Sequence, residues 1–211
     1  MSSPILISIE GNIGSGKSTL LKGLREAEPD WMFVDEPVDS WLNIRNDHGE
    51  SLLEVFYKDI KRWAYSFQNA AVLSRGQMIR EALQTWQKGF AEGRKNRIII
   101  MERCVETDRN VFAKMLKRAG DLDNIEWTLY EKWYALITEM IPKMDSYIWI
   151  DTDPVTCSQR IKQRAREGEG DIHLGYLENL DKVHHEWLGS EKEVFRSQNL
   201  DEIRKYIHSL E

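Results

Sequence analysis

Cysteine is scarce in this chain: Cys104 and Cys157 are the only two among 211 residues, and they form no CxxC pair. That excludes a disulfide framework and fits a reducing compartment. No run of about 18 apolar residues occurs, so no membrane-spanning helix is expected. Positive charge is not in excess either: 29 Lys and Arg against 35 Asp and Glu leave a net charge of −6. A general nucleic-acid binder needs clustered cations to neutralise phosphates. Neither a nucleic-acid nor a membrane partner is therefore expected. The first expected strand begins at Pro4, which leaves no room for a leader ahead of it, and the expected location is cytoplasmic. Internal repeats and low-complexity linkers are absent as well.

What is present suits one domain. A hydrophobic fraction of 41%, with 8 tryptophans, supplies a sizeable core for a chain of this length. Strand and helix signals alternate, the pattern of an α/β fold with a parallel sheet of about five strands flanked by helices. Strands are expected at 4–9, 31–35, 97–101, 147–150 and 194–196. Apolar spacing predicts helices over 52–90, 108–118, 124–141 and 200–210, and Asp153-Pro154 caps another. Residues 166–171 break an arginine-rich helix with two glycines and several acids, which predicts an exposed turn.

Residues 11–18, Gly11-Asn12-Ile13-Gly14-Ser15-Gly16-Lys17-Ser18, satisfy G-x-x-x-x-G-K-[ST] between an expected strand and an expected helix. This is the phosphate loop of a P-loop NTPase fold. Glycines let successive backbone N–H groups face a triphosphate, and the helix N-terminus adds partial positive charge. Lys17 is expected on the β- and γ-phosphates and Ser18 on Mg²⁺, with Thr19 beside them. The buried run at 98–101 ends in Glu102-Arg103, an unusual pair unless it is used. Glu102 is the expected second metal ligand and Arg103 the group facing the transferring phosphoryl. Glu36 closes the second strand, where a carboxylate can accept the proton of an attacking hydroxyl.

With these residues in place, nearly the whole chain resembles the deoxynucleoside kinases, in particular their deoxycytidine and deoxyguanosine branch. The resemblance rests on 9–19, on Glu36-Pro37-Val38 with Trp41, and on Phe67-Gln68 with Leu73-Ser74-Arg75. It continues through Glu102-Arg103, Asp108-Arg109, Phe112, and the stretch from Arg160 to Glu178. It implies ATP or another NTP as donor, Glu36 as the base for the 5′-hydroxyl, and Arg103 holding that hydroxyl. It further implies Tyr57 and Glu169 on the 3′-hydroxyl, Gln68 on the nucleobase, Phe67 and Phe112 sandwiching it, and Trp41 nearby. Arg160, Arg164 and Arg166 would belong to a lid, about 160–172, closing over the phosphates. A homodimer formed by the long helices is implied too.

Spacings of 11 and 7 residues put Tyr57, Gln68 and Arg75 on roughly one helical face, and Asp108 lies four residues before Phe112. An Asp held by Arg accepts a hydrogen bond from an exocyclic amino group, so Arg75 and Asp108 predict deoxycytidine, deoxyadenosine or deoxyguanosine over thymidine. Two alternatives share the loop. A nucleoside monophosphate kinase would need cations for its acceptor's phosphate, and a non-catalytic assembly subunit would have lost reactive groups that are all present here. Cys104 stands where the family often has Ser, and little effect is expected. His184-His185 is expected as a surface pair, since neighbours on a helix point about 100° apart. Trp63, Trp86, Trp127 and Trp133 could each be core or interface.

Overall fold

The computed structural model describes residues 3–93, 95–170 and 172–211. Five parallel strands, β1 (Ile5–Glu10), β2 (Met32–Val34), β3 (Ile98–Glu102), β4 (Ser146–Trp149) and β5 (Val194–Arg196), form one sheet in the order β2-β3-β1-β4-β5. β1 is central, so its C-terminal end opens into the crevice between neighbours reached by separate crossovers, where ligands of such sheets bind. Both faces are covered, as a parallel sheet requires. Side-chain alternation explains the two layers. Leu6, Ile99, Met101, Tyr147 and Trp149 point into one apolar cluster, and Ile5, Ile7, Ile9, Ile98, Ile100 and Ile148 into the other.

The second cluster is closed by α1 (Lys17–Ala27) and α10 (Leu200–His208). The first lies under α2 (Val38–Asn43), α3 (Leu52–Lys58), α4 (Ile60–Ala91), α7 (Asn124–Met140), α8 (Pro154–Arg164) and α9 (Leu174–Leu188). Between β3 and α7 run α5 (Val105–Thr107), a π-helical stretch Asp108–Ala113, and α6 (Lys114–Ala119), end to end. α4 and α7 approach so closely at Gly76 that an added Cβ would sit 2.6 Å from Ile137 Cγ2.

Three expectations need correction. The helical region 52–90 is two helices, because Asp59 leaves helical geometry (φ −144°, ψ 80°) and its carboxylate caps α4 by accepting from Arg62 N at 3.1 Å. Tyr57 is therefore on a different helix from Gln68 and Arg75, and spacing through one helix does not relate them. The helix expected at 108–118 begins at Val105 and widens into the π-helical stretch. His184 is buried in α9, whereas His185 is exposed, so they are not a surface pair. Of the tryptophans, Trp86 is core, Trp133 is exposed, and Trp63 and Trp127 are half-buried. Residue 171 of the expected lid lies outside the described residues.

Candidate active site

The phosphate loop leaves β1 through Gly11, Gly14 and Gly16, all at positive φ (144°, 78° and 109°). At two of them space as well as conformation demands glycine: an added Cβ would meet Ile150 O at 2.5 Å from Gly11 and Cys157 O at 2.6 Å from Gly14. The loop is tied down from behind. Asn12 Nδ2 donates to Leu177 O, and Thr152 Oγ1 and Arg160 Nη1 both donate to Ser15 O. Lys17 Nζ donates to Gly11 O (3.2 Å) and Asn12 O (2.8 Å) and lies 3.9 Å from Glu102. Burial, aided by Arg103, lowers the Lys17 pKa to about 8, and the carboxylates of Glu102 and Glu36 limit the fall. Ser18 Oγ donates to Glu102 Oε2 at 2.9 Å, so a hydroxyl and a carboxylate converge beside the cradle.

A second cavity adjoins the loop at the C-terminal end of β1, β2 and β3. Glu36 stands at the junction, ion-paired to Arg103 Nη1 and 3.3 Å from Arg75 Nη2. Burial alone would raise its pKa, but Arg103, Arg75 and Lys17 outweigh that and hold it at about 2. The group is a carboxylate at any working pH, a weak base in a strongly positive field. Arg103 is at left-handed φ (63°), unusual for a residue with a Cβ, and Nη2 donates to Gly11 O at 3.0 Å. Arg75 joins three elements: Nε donates to Asp108 Oδ2 (2.9 Å), Nη1 to Glu102 O (2.8 Å), and Nη2 to Glu36.

The far wall is aromatic. Phe67 and Phe112 line the cavity with Trp41 and Tyr57. Phe67 already stacks on Phe56 (ring centres 4.3 Å, 10° between planes) and meets Trp41 edge-on, while Arg103 lies 5.1 Å from the ring centre of Phe112. Gln68, only 1% exposed, has no partner among the described residues for either its amide nitrogen or its amide oxygen. An unpaired buried amide is costly, and such a group at a cavity wall marks a place that a ligand completes.

Comparison with known proteins gives the geometry its context. Residues 7–205 match the family model described as deoxynucleoside kinase. This chain belongs to the deoxynucleoside kinase family. Curated relatives include deoxycytidine kinase 2 of Gallus gallus, 34% identical over 93% of this chain and 78% of that protein. Mitochondrial deoxyguanosine kinase of Xenopus laevis is 31% identical over 97% and 81%. A probable deoxycytidine kinase of fowlpox virus is 37% identical over 89% and 73%. The protein is accordingly a phosphotransferase, a deoxynucleoside kinase with an NTP as phosphate donor.

In this kinase, the expected residues Glu36, Trp41, Tyr57, Phe67, Gln68, Arg75, Arg103, Asp108, Phe112 and Glu169 all border one cavity. Gly14, Gly16, Lys17, Ser18, Thr19, Glu102, Arg160, Arg164 and Arg166 border the adjoining space over the loop. Arg164 and Arg166 belong to both, because each is ion-paired to the buried carboxylate of Glu169, Arg166 at 3.2 Å. The chain bends there at Ala165 (φ 47°) and Gly168 (φ 82°). Sequence reasoning gave no role to Phe56, Leu53 or Glu10. Phe56 and Leu53 read only as core in an apolar helix. Glu10 did carry a signal, since a carboxylate ending an apolar strand is rare. Among the described residues no helix is long and apolar enough to cross a membrane.

Proposed function

We propose that this kinase transfers the γ-phosphate of ATP or another NTP to the 5′-hydroxyl of deoxycytidine, deoxyadenosine or deoxyguanosine in preference to thymidine. The observation that carries the acceptor reading is the unpartnered amide of Gln68 in an aromatic-walled cavity. A flat base with both donor and acceptor on its edge satisfies that amide. Asp108, fixed by Arg75, adds an acceptor suited to an exocyclic amino group. Thymine presents a carbonyl and a methyl there and would leave a buried acceptor unpaired, at about 1–3 kcal/mol.

In the reaction Glu36 accepts the 5′-hydroxyl proton. With a pKa near 2 it is a poor proton acceptor until the attacking oxygen has begun to bond to phosphorus. That suits a loose transfer in which positioning matters more than base strength. Lys17 and Arg103 stabilise the transferring group, and Arg160, Arg164 and Arg166 close on it from the lid. The hydroxyl of Ser18 and the carboxylate of Glu102 form an oxygen donor pair of the hard type that Mg²⁺ prefers. When bound, the ion would neutralise charge on the donor phosphates.

α7 exposes Ile125, Leu129, Trp133, Leu136 and Met140 along one stripe, with Leu73 exposed on α4, which supports a homodimer through these helices. The two free, buried cysteines support a reducing, cytoplasmic setting. A panel of the four deoxynucleosides, their ribose forms and their 5′-monophosphates, with ATP and Mg²⁺, tests the reading. The expected result is turnover of the amino-bearing deoxynucleosides with kcat/KM about tenfold or more above thymidine. Thymidine ranking first would sink the base assignment, and turnover of monophosphates alone would sink the acceptor class.

A further inference from the structure

A separate cavity of about 520 Å³ shares no lining residue with the cleft. It lies between α5, the C-terminal end of α7 with the turn after it, β4, and the loop joining α9 to β5. Its size falls in the range of small-molecule sites. Ile141 and Met144 give it apolar wall, and Tyr134 and Tyr147 give it aromatic wall. Its charge is one-sided. Glu106, Glu139, Glu191 and Glu193 line it against a single lysine, Lys143, which is exposed and makes no ion pair among the described residues.

Surface carboxylates are ordinary, but two unmet groups on this cavity are not. Glu106 has Oε2 buried with no partner among the described residues. Burial raises its pKa and outweighs every opposing influence, Lys143 included, so the carboxyl is short of a counter-charge. Tyr147 is only 9% exposed, and its ring is fixed edge-on against Trp187 (centres 5.3 Å apart, 74° between planes). Its hydroxyl has no hydrogen bond among the described residues. Trp187 also fixes a rim acid, donating from Nε1 to Glu191 Oε1 at 3.2 Å. A buried hydroxyl and a buried carboxyl oxygen, both unmet on one cavity, are a set that a ligand completes.

Excess negative charge calls for a cation, and the apolar and aromatic walls call for carbon. A metal ion fits less well. Among the described residues, the only three His, Cys, Asp or Glu ligand atoms within 4.8 Å of one another belong to Asp151, Asp181 and His185, none of which lines this cavity. We propose that the cavity binds an aliphatic polyammonium ion, with one ammonium donating to Glu106 Oε2 and to the Tyr147 hydroxyl. The alkyl chain lies along Tyr134 and Met144, and the far ammonium meets the rim acids Glu139, Glu191 and Glu193. The bound ion rests against α5, the short helix between Arg103 and Asp108, and touches neither substrate of the kinase. The site goes beyond the proposed reaction and does not depend on it.

Calorimetric titration of the full chain with spermidine, without nucleotide, tests this. Saturable binding at one site per chain is expected, weakening as salt screens the charges. Glu106→Gln keeps the shape and removes the charge, and should lower affinity about tenfold or more. Tyr147→Phe removes only the hydroxyl and should cost about threefold. Glu193→Gln, on the exposed rim where folding is not at stake, should cost about two- to threefold. Asp151→Asn, in the other acidic cluster, and saturating deoxycytidine should both leave affinity unchanged. Absence of saturable binding would overturn the assignment. So would equal weakening by Asp151→Asn and Glu106→Gln, the mark of general attraction to an acidic protein. Displacement by deoxycytidine would put the ion in the cleft and overturn it as well. If Glu106→Gln fails to fold, Tyr147→Phe and Glu193→Gln decide, and unchanged affinity in both sinks the site.

Discussion

The proposed donor and acceptor sides of this cleft are built from different material. The donor side is framed by main chain: a loop whose Gly11 and Gly14 are forced by contacts under 3 Å with the backbone of residues 150 and 157, opening a helix N-terminus, with Lys17, Ser18 and the lid arginines set around it. The acceptor side is side chain. Glu36, Tyr57, Gln68, Arg103 and Asp108 reach it from five separate stretches of sequence, and Arg75 bonds three of those stretches together. A triphosphate tail is common to all NTPs, so a backbone cradle can serve them without reading anything. An acceptor has to be distinguished from close relatives, which takes placed side chains. The expectation is that the two sides fail differently when altered.

The largest effect should come from the acceptor side at the reacting atom. Glu36→Gln should lower kcat by about 10²- to 10³-fold, the range for one preorganised catalytic group, with ATP binding unchanged by calorimetry. Equal loss of binding and turnover would mean that the two sides are one structural unit. The reverse break is Gly11→Ala. A Cβ there meets Ile150 O at 2.5 Å on a backbone with φ 144°. It should cost roughly 1–3 kcal/mol of stability and weaken donor binding, while nucleoside binding to the remaining folded protein persists. Loss of nucleoside affinity on the same scale would refute the division.

The smallest effect concerns the frame that both sides share. His184 in α9 donates from Nδ1 to Leu180 O at 2.8 Å in the neutral form, and Nε2 is buried with no partner among the described residues. Burial lowers its pKa to about 3. An unfolded histidine titrates near 6.5, so the unfolded chain takes up the proton first as pH falls. The contribution is complete above about pH 6.5 and declines toward pH 3, with a slope approaching about 1.4 kcal/mol per pH unit. His184→Leu should flatten denaturation midpoints between pH 6 and pH 4 relative to the parent. Parallel profiles would show that the ring is not kept neutral. Glu36 acts lower: its depressed pKa stabilises the fold above an unfolded value of about 4.3, and that contribution is lost as pH falls toward 2.

The same division explains what could be read in advance. The phosphate loop was legible residue by residue, because a backbone cradle writes its requirement as glycines at fixed spacing. The five strands were legible from apolar runs, each within a residue or two of its position. The acceptor side was legible only through resemblance, since nothing local in Gln68 or Asp108 says that they meet. Helical spacing from Tyr57 to Gln68 pointed to a shared face for the wrong reason, because Asp59 stops one helix and caps the next. That signal was present in the aspartate itself. His184 was misread as a surface residue although the signal was there: it falls four residues after Leu180 and seven after Leu177, on the face of α9 that also buries Trp187 and Leu188. The π-helical stretch had no signature, because its residues suit an α-helix equally well.

That stretch also governs how this chain can change length. Residues 108–113 hold the wide turn between Asp108, engaged with Arg75, and Met115 and Leu116, seated in the core. A π-helical turn closes over about one residue more than an α-helical turn. Removing one residue would therefore let the stretch tighten into an ordinary α-helix while the carboxylate and the core anchors keep nearly the same facing. In an alignment of kinases sharing this site, it is the place in this helix where a single-residue gap can be put.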